Sequence, residues 1–154
     1  MSLDIAIPGA PRLQLQHLLL DFNGTLACDG RLIDGLATRL GELAAVLEVQ
    51  VLTGDTYGTV AQALAGLGVR HRVVQTGADK AACVQALRTA GVAAVGNGRN
   101  DVDMLRLATL GVAVLGPECS HAQTLAAAHL VAPDIGAALD LFLHPARLVA
   151  ALRP

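Results

Sequence analysis

With 154 residues, 53 % of them hydrophobic and 16 % charged, the chain is sized for one domain spanning residues 1–154 around a substantial core. A net charge of −2, no block of like charges and an aromatic content of 2 % exclude a nucleic-acid surface built on basic patches or base stacking. Apolar runs such as Leu18–Leu20 and Val112–Leu115 fall far short of the roughly 18 residues of a membrane-spanning helix, and three scattered cysteines without CxxC spacing point to reduced thiols and a cytoplasmic setting.

The start, MSLDIAIPGAPR, lacks the basic start plus apolar run expected of a signal peptide. Leu3–Ile7 and Leu13–Phe22 flank the turn formers Pro8-Gly9-Ala10-Pro11, which predicts an N-terminal β-hairpin. The second run passes from alternation into Leu18-Leu19-Leu20, as a strand entering the middle of a sheet does. Beyond a loop, Ile33, Leu36, Leu40, Leu43 and Leu47 recur at helical spacing and predict an amphipathic helix over 34–48. The pattern then predicts a strand at 49–52, a helix at 56–67, a strand at 70–74 and a helix at 78–90. A strand at 92–95, a helix at 101–109, a strand at 112–115 and a helix at 120–128 follow. A short strand at 129–132 and a helical stretch at 135–152, broken at Pro145, complete the series.

This alternation predicts an α/β fold, a doubly wound and mostly parallel sheet covered on both faces. Ligands of such sheets bind beyond the carboxyl ends of the strands. Asp21, Thr53-Gly54-Asp55 and Gly96-Asn97-Gly98 all fall at predicted strand ends, so the pattern predicts that they share one site.

At the first of these ends, DFNGTL places a carboxylate in the crevice, followed by a glycine that permits a sharp turn and amides that can surround an anion. A strand-end Asp beside an Asn-Gly hairpin turn fits the same letters. VLTGD offers the Thr53 hydroxyl and the Gly54 amide to an anion, or Thr53 and Asp55 as helix caps. Lys80, the sole lysine, lies near a predicted helix start, where the helix dipole disfavours a cation unless an anion is close by. GNGRND follows a strand and opens a helix, as a ligand loop or as a glycine-rich turn capped by Asn100. The five histidines, His17, His71, His121, His129 and His144, show no metal spacing and lie outside these segments. Asp29 fits a turn residue before Gly30 better than a residue bordering the entrance.

Taken in order, DFNGT, TGD, Lys80 and GNGRND resemble the four motifs of the haloacid dehalogenase (HAD) superfamily, and TGDTYGTVAQALAGLG is similar to the matching stretch of P-type ATPases. The resemblance implies a HAD-like Rossmannoid core without a cap domain, since only 27 residues separate Thr25 from Thr53. It implies an Mg²⁺-dependent phosphohydrolase in which Asp21 forms an aspartyl phosphate. Asp21, Asn23, Thr53 and Lys80 take the catalytic positions, and Thr53, Gly54, Lys80 and Asn100 those that bind phosphate. Asp21, Asn23, Asn97 and Asp101 take the metal positions. A site without a lid implies a phosphorylated small molecule or a macromolecular substrate, and a homo-oligomer whose neighbour closes the site.

Two carboxylates of the family pattern are amides here. Asn23 replaces the general acid/base, which removes roughly 10²–10⁴-fold of proton-transfer catalysis. Asn97 replaces a metal-binding Asp; an amide oxygen still suits Mg²⁺ but brings no charge. The expected function is therefore a slow phosphohydrolase, with a non-catalytic phosphate-binding or phospho-Asp regulatory relative as the alternative.

Overall fold

The computed structural model describes residues 1–154. The chain opens with an antiparallel hairpin, β1 (Leu3–Ile5) and β2 (Leu13–Leu15), in the register Leu3 to Leu15. The run expected as one strand over Leu13–Phe22 is two strands in two sheets. At Gln16 the chain turns from its hairpin partner and donates its amide to the Gly91 carbonyl at 2.9 Å. β3 (His17–Asp21) then enters the central sheet, buried along its whole length.

That sheet has six strands in the order β10-β9-β8-β3-β6-β7, every pairing parallel. The others are β6 (Glu48–Thr53), β7 (Arg70–Val73), β8 (Val92–Gly96), β9 (Leu110–Val114) and β10 (Leu130–Ala132). The pleat sends Leu18 and Leu20 into one core and Leu19 into another on the opposite face. The first core is closed by α1 (Leu36–Ala44), α6 (Ile135–Leu143) and α7 (Pro145–Leu152). The second is closed by α3 (Gly77–Leu87), α4 (Val102–Leu107) and α5 (Ala122–Ala127). Coverage of both faces explains why β3, β8 and β9 read as unbroken apolar runs.

Several boundaries differ from expectation for identifiable reasons. The helix expected over 56–67 is a single turn, α2 (Val60–Ala63). Asp55, Gly58 and Gly66 have positive φ, which no helix accommodates, and the Asp55 carboxylate accepts from the Val60 amide at 3.2 Å. The helix expected over 34–48 is bounded by left-handed Gly35 and ends at Ala44. β9 begins at Leu110, two residues early, and a Cβ on Gly111 would stand 2.3 Å from the Leu105 carbonyl oxygen. The stretch after Asp21 carries a small hairpin, β4 (Ala27–Cys28) and β5 (Arg31–Leu32), where a loop was expected. Between β3 and β6 the chain forms this hairpin and α1 and no lid domain. The break at Pro145 is as expected, with α6 and α7 bent by 102°. No single helix is long and apolar enough to cross a membrane.

Candidate active site

The carboxyl ends of β3, β6 and β8 lie side by side and place Asp21, Thr53 and Asn97 on one rim, the crevice position expected of such sheets. α3 approaches this rim with its first turn held by a capping box. The Thr76 hydroxyl accepts from the Asp79 amide, and the Asp79 carboxylate accepts from the amides of Gln75 and Thr76. These bonds hold the Asp79 carboxyl below its usual range. One residue further on, Lys80 turns inward and is 1 % exposed.

The Lys80 ammonium donates to Asp21 Oδ1 at 2.6 Å and to Asp101 Oδ1 at 2.7 Å. All three groups are buried. The second oxygen of Asp101 accepts from the amides of Asn97 and Gly98, at 3.0 and 2.9 Å. Gly96 makes room for that carboxylate, since a Cβ there would stand 2.5 Å from it. Burial opposes the charge on Lys80, but the two carboxylates outweigh it and hold its pKa above the ordinary lysine value. Asp21 is pushed up to about 7, first by burial and then by the charge of Asp101, against the pull of Lys80 and Thr25.

Thr25 completes the cluster, although its place in DFNGTL carried no assigned role. Its hydroxyl is fully buried and lies 3.0 Å from both Asp21 Oδ2 and Asn97 Oδ1. One hydroxyl proton serves two acceptors, so it goes to one of them at a time. The Asn97 amide is oriented by its other end, which donates to the Cys119 carbonyl at 2.8 Å. Its backbone carbonyl accepts from His121 at 2.9 Å, and the Thr124 hydroxyl donates to the Gly98 carbonyl at 2.6 Å. Asn97 thus fastens the segment 116–121 to the Asp21 loop. His121 thereby touches the fourth motif, contrary to the expectation that the histidines stay clear of it, and its Nδ1 is buried without a partner.

The other candidates are placed as follows. The Thr53 hydroxyl is buried but accepts locally from the Asp55 amide at 2.9 Å, and Gly54 opens a turn, not a helix. The Asn23 amide oxygen is buried with no partner. Asn100 is exposed on the 3₁₀ turn Arg99–Asp101 and lies outside the buried cluster. Asp29 is an exposed turn residue with φ 51°, the role its sequence context favours.

Asp21 Oδ2, Thr25 Oγ1 and Asn97 Oδ1 share a single proton. This oxygen-rich edge fits a hard divalent cation. Asp101, expected at a metal position, has Oδ1 engaged by Lys80 and Oδ2 by two backbone amides. No group of three or more Asp, Glu, His or Cys side chains is arranged around a common metal position. A cation beside Thr25 would meet the Asp21 carboxylate and the neutral oxygens of Thr25 and Asn97.

No family model matches the chain. An uncharacterized protein of Methanocaldococcus jannaschii is 42 % identical over 62 residues, which covers 40 % of this chain and 67 % of that protein. A crystal structure of a HAD family hydrolase from Streptomyces avermitilis, described as putative, aligns with a TM-score of 0.65 at 23 % identity over 82 % of each chain. The 3-deoxy-D-manno-octulosonate 8-phosphate phosphatase of Moraxella catarrhalis, solved with magnesium, phosphate and the sugar acid, aligns with a TM-score of 0.64. Its identity is 19 %, over 90 % of this chain and 87 % of that one.

Proposed function

On the premise that the chain has the haloacid dehalogenase fold, we propose that it is a phosphohydrolase working through an aspartyl phosphate on Asp21. The observation that supports this reading is the buried array of Asp21, Lys80 and Asp101 at the carboxyl end of a central strand. It sets one carboxylate at the crevice with its partner cation already in place.

In the proposed reaction an Asp21 oxygen attacks phosphorus and the bond from phosphorus to the substrate alcohol breaks. The departing oxygen takes its proton from water, because Asn23 has none to give. Water then attacks the phosphorus of the acyl phosphate, which releases phosphate and restores Asp21. Lys80 stabilises charge on the transferring group, and the Thr53 hydroxyl with the Gly54 amide lines its path. Asp101 acts at one remove, by orienting Lys80. Mg²⁺, held by Asp21, the backbone carbonyl of Asn23, Asn97 and Asp101, would add positive charge against the phosphoryl oxygens. The rim has no lid, which favours either an extended substrate or closure by a second copy of the chain.

The test is turnover of p-nitrophenyl phosphate with Mg²⁺ by wild type and Asp21→Asn, alongside mass analysis after incubation with acetyl phosphate. Release of nitrophenol that Asp21→Asn abolishes supports the proposal. Accumulation of an Asp21 adduct without turnover overturns it in favour of a phospho-Asp regulatory protein. Neither turnover nor an adduct overturns both.

A further inference from the structure

Three charged side chains are buried at the rim, Asp21, Asp101 and Lys80, with the ammonium bonded to both carboxylates. With both carboxylates ionised, the cluster carries one net negative charge. The other side-chain oxygens beside Asp21 Oδ2 are neutral: the Thr25 hydroxyl at 3.0 Å, and the Asn97 amide oxygen 3.0 Å beyond it. No third Asp, Glu, His or Cys joins the two carboxylates around a common position.

Asn97 is not free to reverse its amide. Its nitrogen donates to the Cys119 carbonyl at 2.8 Å, which leaves the oxygen facing Thr25. Cys119 presents that carbonyl from a left-handed backbone, φ 68°, in a turn closed by its own amide on the Gly116 carbonyl. A residue other than glycine adopts this conformation at an energetic cost that the surrounding contacts must outweigh. The fold therefore holds a neutral oxygen, not an N–H group, toward Thr25 and Asp21.

Net charge then governs what the cluster accepts. A divalent cation alone would turn one buried negative charge into one positive charge. A phosphate dianion alone would gather three negative charges in the same place. Both together restore the single negative charge, with opposite charges side by side. Away from bulk water such differences weigh heavily. Carboxylates at 23 and 97, as in the family pattern, would instead keep the site negative with the cation alone.

We infer that this chain takes up its divalent cation and the phosphoryl group jointly, each strengthening the other, so that its substrate is the metal complex of a phosphate monoester dianion. The inference rests on the phosphohydrolase reading and states the form in which that site accepts its substrate. Asn97, aimed by Cys119, offers the cation an oxygen without the charge that would hold it alone. By linkage, the gain in cation affinity and the gain in phosphate affinity are equal.

The test is calorimetric titration with MgCl₂ at constant ionic strength near pH 8, without added anion, with inorganic phosphate and with dimethyl phosphate. Phosphate should tighten Mg²⁺ binding about ten-fold or more, and Mg²⁺ should tighten phosphate binding by the same factor. Dimethyl phosphate, a monoanion, should have a smaller effect. Asn97→Asp should bind Mg²⁺ without any phosphate about ten-fold more tightly than wild type. Asn23→Asp, where the amide oxygen has no partner to lose, should shift the same way and carries the comparison if Asn97→Asp does not fold. Equal Mg²⁺ affinity with and without phosphate overturns the inference. Equal effects of the two anions, wild-type affinity in both variants, or no Mg²⁺ binding under any condition do the same. Turnover is read separately with p-nitrophenyl phosphate. Coupled binding without turnover fails the phosphohydrolase reading and keeps joint uptake, whereas turnover with uncoupled binding does the reverse.

Discussion

Thr25 and Asn97 show how few atoms define this site. Asn97 must donate to the Cys119 carbonyl while its oxygen faces Thr25, and only an amide does both. Asn97→Asp would set a carboxylate against that carbonyl, so the family-like residue should be destabilising here. The expected loss is about 1–3 kcal/mol, read from urea denaturation, with faster hydrogen exchange confined to residues 116–121. Lys80 is the opposite case, a buried cation shared by two carboxylates. Lys80→Met would leave them unpaired and should cost about 3–5 kcal/mol, part of which Asp21→Asn in the same chain should recover. Asp21 titrates near 7 in the folded protein against an ordinary value of 3.8. Between those values the folded state keeps a proton that the unfolded chain has released. The contribution of Asp21 to stability therefore falls as pH rises from about 4 to about 7 and levels off beyond. Measured against Asp21→Asn, wild type should lose Tm across that window; a constant difference would mean that Asp21 is ionised throughout.

Among the elements, α3 and the segment after β6 show what local sequence does and does not decide. Thr76 and Asp79 form a capping box from adjacent letters, and the helix they start delivers Lys80 one residue later. Thr76→Ala should cost about 1 kcal/mol, detected as a lower denaturant midpoint. The stretch 56–67 is rich in Ala and Leu, good helix formers, yet forms one turn because Asp55, Gly58 and Gly66 are left-handed. Its glycines were visible, but their backbone angles depend on packing. Tyr57 lies over Gly30, where a Cβ would stand 2.7 Å from its ring, and the Thr59 hydroxyl donates to the Gly30 carbonyl at 2.8 Å. The hairpin β4–β5 holds this segment in a turn.

In the whole molecule, one sheet separates two cores, and β3 serves both. Leu19→Ala and Leu20→Ala should each cost about 2–5 kcal/mol, one on each face. Because both faces share the same strand, either variant should unfold in a single calorimetric transition. The amino-acid sequence by itself determined the alternation of strands and helices from α1 onward, the parallel α/β class and the rim on which Asp21, Thr53 and Asn97 gather. These follow from burial periodicity and from Gly and Pro punctuation, which are local signals. Only the tertiary structure decided that Lys80 bridges Asp21 and Asp101, 59 and 21 residues away, and that Thr25 stands between Asp21 and Asn97, the latter 72 residues off. It also tied both Asp101 oxygens to Lys80 and two backbone amides and left Asn100 at the surface. The reason is physical: a buried polar group must find its partners, and which partners are in reach is set by the packing of distant segments, not by neighbouring letters.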